Sequence, residues 1–77
     1  AYSYSFDTPW KTLYEKEDIK DFVLEKFKAY SLDTGILYAT YEYNSHMSLN
    51  DIFAMLGSTD ENMKTEIANY LTKAKKE

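Results

Sequence analysis

The chain has no cysteine, two glycines, one proline and one histidine, and each of its nine basic residues is a lysine. Each shortage removes a class of chemistry. Without cysteine there is no disulfide to staple the fold, no thiol nucleophile and no thiolate-based zinc site. His46 as the sole imidazole nearly excludes a structural zinc centre. Two glycines cannot build a phosphate-cradling loop or a dinucleotide fingerprint, and no cofactor is expected. There is no run of about 18 apolar residues, so no membrane-spanning helix is expected. A basic stretch leading into an apolar one is also missing, so no signal peptide is expected.

Basic residues are unevenly distributed. No lysine lies between Ala29 and Met63, while that stretch carries Asp33, Glu42, Asp51, Asp60 and Glu61. Its formal charge is therefore −5, against −4 for the whole chain. An acidic balance argues against nonspecific nucleic-acid binding, which needs cations to displace counterions, and against an anionic membrane surface. It suits a basic protein partner. Lys, Tyr, Asn, Ile, Phe and Met, all with AT-rich codons, make up 32 of the residues. That composition points to an AT-rich genome, such as a low-GC bacterium or one of its phages.

Aromatic residues are plentiful. Eight of 77 residues are tyrosine, and Phe, Trp and Tyr together make 17% of the chain. A single core in so short a chain supplies only a few kcal/mol. Each aromatic ring buries roughly 150–250 Å², enough to support one small domain over residues 1–77.

Periodicity then locates the elements. Tyr2, Tyr4 and Phe6 alternate with Ala1, Ser3 and Ser5, a strand-like pattern with one aromatic face that gives the N-terminus a reason to dock. Thr8 and Pro9 have the chemistry of N-cap and first helical residue, opening a helix over 9–15. Asp18, with Asp21 three residues on, resembles a capping box for a helix over 19–30, whose apolar face is Ile19, Phe22, Val23, Phe27 and Tyr30. Leu32 to Gly35 is turn chemistry.

Residues 36–43 are ambiguous. Ile, Thr and Tyr favour a strand, but the only partner strand within the chain would be 2–6, and two-stranded sheets are marginal. As a helix capped by Asp33, the segment would bury Ile36, Thr40 and Tyr43 along one side, with Leu37 and Tyr41 beside them. Ser48 and Asp51 open the next helix, and Gly57 closes it. Ser58 and Glu61 have capping-box spacing for a last helix over about 60–75. The expected fold is mainly α: a small helical bundle with an extended N-terminus. The alternative is α+β with short strands at about 2–6 and 36–43.

Candidate sites divide into weak and less weak. His46 lies near Ser45 and Ser48 but has no evident orienting acid, so it reads as a solvated loop residue. The carboxylates Glu15, Glu17, Asp18 and Asp21, and the pair Asp60 and Glu61, are explained by helix starts. The last two helices resemble a helix-turn-helix, but Asp60-Glu61-Asn62 at the start of the second would be repelled by DNA. Met55 and Met63 read as core fillers, and Tyr14, Tyr30 and Tyr70 as core on apolar faces. Six residues form the expected partner-binding surface: Asp33, Tyr38, Tyr41, Glu42, Tyr43 and Asp51. Tyrosine offers a rigid ring and a hydroxyl at interfaces, and flanking carboxylates steer a basic partner. The expected function is a non-enzymatic, cytoplasmic protein-binding module, in its narrower form a phage or mobile-element inhibitor that imitates the charge of DNA. A self-associating subunit, such as a homodimer, is the alternative, with a helix-turn-helix DNA binder behind it.

Overall fold

Among the described residues, five helices form where apolar residues recur at helical spacing: α1 Trp10–Tyr14, α2 Glu17–Ala29, α3 Gly35–Tyr43, α4 Leu49–Leu56 and α5 Glu61–Lys73. The structure is a computed structural model that describes residues 4–57 and 59–74. No sheet occurs among the described residues; one isolated bridge joins Pro9 and Ser48. The mainly α architecture therefore holds, and the strand alternative is not needed. Residues 36–43 lie in α3, while 4–6 run without strand pairing; Tyr2 and Ser3 fall outside the described residues.

The core explains why α3 is a helix. Leu37 and Thr40 point inward, and the buried indole N–H of Trp10 donates to the Leu37 carbonyl at 2.8 Å. That bond crosses from α1 to α3 and satisfies the one polar atom of a fully buried Trp. Around it lie Leu13, Ile19, Val23, Phe27, Leu49, Ile52, Met63, Ile67 and Leu71, so all five helices contribute to one core. The radius of gyration is 11.3 Å, close to the value of about 11.5 Å for a folded chain of this length.

The N-terminal segment docks as its aromatic spacing implies. Tyr4 is buried, and its N–H donates to the Leu71 carbonyl of α5 at 3.3 Å. Phe6 packs edge-on against Phe53 with ring centroids 5.2 Å apart, and its carbonyl accepts from Asn50 N–H at 3.2 Å. The segment thus ties α4 to α5.

Several local expectations are corrected. Pro9, rather than Thr8, occupies the N-cap of α1, and Thr8 Oγ1 instead accepts from Ser5 N–H at 3.0 Å. α2 begins at Glu17 with Lys16 at its N-cap and no side-chain cap; Asp18 is diverted to the Tyr70 hydroxyl. α5 is capped by Asp60, whose Oδ1 accepts from Asn62 and Met63 N–H, and Ser58 lies outside the described residues. The Ser48–Asp51 capping box forms as expected. Met63 is buried, but Met55 is 63% exposed on the outer side of α4.

Candidate partner-binding surface

The buried stripe of α3 determines what the helix shows to solvent. With Leu37 and Thr40 inward, the 3.6-residue repeat brings Tyr41 to one edge of the interface and Tyr38 just beyond it, while Glu42 lies one turn after Tyr38. Tyr38 is 49% exposed, and Glu42 is exposed. Tyr43, 79% exposed, leaves on the opposite flank, so the expectation that it joins the buried side is corrected. Its five-residue offset from Tyr38 puts the two rings on different sides of the helix.

Tyr38 and Tyr41 meet a third tyrosine from α1. Tyr14 stacks on Tyr41 with centroids 4.0 Å apart at 19°, and meets Tyr38 edge-on at 6.4 Å and 79°. It also touches Trp10 edge-on at 5.8 Å, which links the patch to the core. Lys20 of α2 sets its ammonium over the Tyr14 ring, 5.1 Å from the centroid. The Tyr41 hydroxyl donates to Glu15 Oε2 at 3.4 Å. Partial burial, then the nearby Glu15 charge, raises Tyr41 above the ordinary tyrosine range. Tyr14 is thus half-buried and part of a surface cluster rather than plain core.

The carboxylates of the lysine-free stretch are mostly committed. Asp33 Oδ1 accepts from Gly35 N–H at 2.8 Å at the start of α3, next to the N-cap Thr34. Asp51 Oδ2 accepts from Ser48 N–H at 2.9 Å. Asp60 caps α5, and Glu61 pairs with Lys64 at 3.5 Å. Glu42 alone of the five makes no hydrogen bond or ion pair among the described residues. Of the six expected surface residues, then, Tyr38, Tyr41 and Glu42 come together. Asp33 and Asp51 act as local helix-start groups, and Tyr43 stands apart. Tyr14, Glu15 and Lys20 were not among the six. Tyr14 follows Trp10 by one helical turn and so reads as an inward residue; only the packing of α1 on α3 reveals its second neighbour.

The other surfaces are less directed. An open groove of about 320 Å³ runs between α2 and α5, lined by Phe22, Lys26, Glu66, Asn69, Tyr70 and Lys73. Its wall is the stacked pair Phe22 and Tyr70, 4.1 Å apart, and Lys26 is ion-paired with Glu66. His46 is exposed in the turn between α3 and α4. No group of three or more acidic or imidazole side chains that could hold a metal ion occurs among the described residues. No helix there is long and apolar enough to cross a membrane. No protein-family model, curated protein sequence or solved structure matches this chain. Its functional reading therefore rests on the surface itself.

Proposed function

We propose that this chain is a non-enzymatic protein-binding module that presents the outer side of α3 to a basic protein. The observation that carries the proposal is the pairing of Tyr38, 49% exposed, with the uncommitted Glu42 one turn away, in a stretch without lysine. Tyrosine supplies contact area at low entropic cost, and the acidic field favours encounter with a cationic surface. The finer reading is an inhibitor from a phage or mobile element that occupies a nucleic-acid-binding protein and acts in the cytoplasm. A mimic of DNA needs several free charges in a row. Because four of the five carboxylates are engaged at helix starts or with lysine, the proposed contact relies on the tyrosine cluster more than on charge repetition.

The test is capture from a bacterial lysate at low and high salt by the immobilised chain, alongside Tyr38→Ala and Glu42→Gln variants. Basic proteins that elute as salt rises and are lost with either variant support the reading. Partners that are not basic and persist at high salt sink it. Sedimentation equilibrium of the same chain addresses self-association: a monomer at high concentration removes the homodimer reading.

A further inference from the structure

We infer that Tyr38 and Glu42, backed by Tyr14, form a receptor for a single arginine side chain of the partner. The inference rests on the binding-module reading and gives it a chemical anchor. Tyr38 and Glu42 are i,i+4 neighbours on α3, which brings ring and carboxylate within reach of one bound group. Tyr14 meets the Tyr38 ring edge-on at 6.4 Å and so braces it. Glu42 has no hydrogen-bonding or ion-paired partner among the described residues, so its carboxylate is available.

The protein itself shows that this patch accepts a cation. Lys20 already lies over the Tyr14 ring at 5.1 Å. That lysine occupies one aromatic face of the cluster and leaves Tyr38 for an external group. A guanidinium suits the remaining site better than an ammonium does. Its plane can lie against the Tyr38 ring while its paired N–H groups reach the Glu42 carboxylate. Because the chain contains no arginine, no side chain of its own can make that planar, bidentate contact.

Two-dimensional NMR titration of the folded chain with hexa-arginine and hexa-lysine peptides tests this. The expected result is that hexa-arginine binds more tightly than hexa-lysine and shifts the Tyr38, Tyr14 and Glu42 resonances. Tyr38→Leu, which keeps apolar bulk but removes the ring face, and Glu42→Gln should each weaken hexa-arginine by about threefold. Both sites are exposed, so the amide spectra of the variants should remain those of the folded chain. If a variant unfolds, the resonance map of the unaltered chain still decides the matter. Equal binding of both peptides at the outer side of α3, unaffected by Tyr38→Leu, overturns the arginine receptor but leaves the acidic binding surface standing. Shifts confined to other carboxylates, such as Asp60 and Glu61, overturn both. No binding of either peptide anywhere overturns both.

Discussion

At the scale of single residues, Ser31 is the most informative backbone position. It closes α2 in the left-handed region at φ 60°. Ser31 N–H donates to the Lys28 carbonyl at 3.0 Å and Leu32 N–H to the Phe27 carbonyl at 2.8 Å, the Schellman pattern that usually recruits glycine. Ser31→Gly relieves the steric cost of that conformation but adds freedom to the unfolded chain. The expected net gain is about 0.5–1 kcal/mol, read as a higher urea midpoint at unchanged slope. Gly57 is the converse case. Its φ of 83° with ψ of −117° ends α4, and open space surrounds the site of a would-be Cβ. Gly57→Ala should therefore destabilise through backbone strain alone, by about 1–3 kcal/mol in the same assay. Tyr43, 79% exposed, should tolerate Ala with less than about 0.5 kcal/mol of change.

At the scale of elements, the indole bond from α1 to α3 is the contact whose loss should be felt most. Trp10→Phe removes the donor to the Leu37 carbonyl. The expected cost is about 1–3 kcal/mol for the bond, with a further loss from the unfilled volume, measured by denaturant unfolding. The elements differ in how far they could be read in advance. α2, α4 and α5 were legible because each repeats apolar residues at helical spacing and ends near glycine, lysine or turn residues. The start of α2 was misread because Asp18, a suitable cap by local chemistry, bonds the Tyr70 hydroxyl from a distant helix. α3 was ambiguous because β-branched and aromatic residues carry strand propensity; burial of Leu37 and Thr40 against α1 decides it. At the candidate surface, Tyr38, Tyr41 and Glu42 were legible as exposed or half-exposed aromatic and acidic positions. Tyr14 and Lys20 were not, since their roles exist only where helices meet.

At the scale of the whole molecule, tyrosine hydroxyls do much of the cross-linking for which other chains use arginine. Tyr30 donates to Glu66 at 3.0 Å, Tyr41 to Glu15 at 3.4 Å and Tyr70 to Asp18 at 2.9 Å, each joining two helices or the segments beside them. The hydrogen bond to Glu66 raises Tyr30, and that to Asp18 raises Tyr70, while Tyr41 is raised chiefly by its burial. The folded chain thus holds these three protons more tightly than the unfolded chain does. Their contribution is complete below the ordinary tyrosine value of 10.0 and is lost as pH rises through the folded-state values. Glu66 behaves oppositely. Hydrogen bonds from Lys26 and Tyr30 lower it below 4.5, so its contribution is present above that value and lost as pH falls through the folded-state value. The urea midpoint should decline at both extremes, and replacing all three tyrosines with Phe should flatten the alkaline arm. The docking of Tyr4 on Leu71 has a different consequence, which concerns time rather than energy. A ribosome releases Tyr4 early and the α5 residues Met63, Ile67 and Leu71 late, separated by on the order of several seconds of synthesis. Phe6 can close on Phe53 once α4 has emerged, but until α5 follows, Tyr4 lacks the helix on which it docks. The nascent chain therefore carries Tyr4 uncovered, within reach of a chaperone, until α5 is made and the core can close.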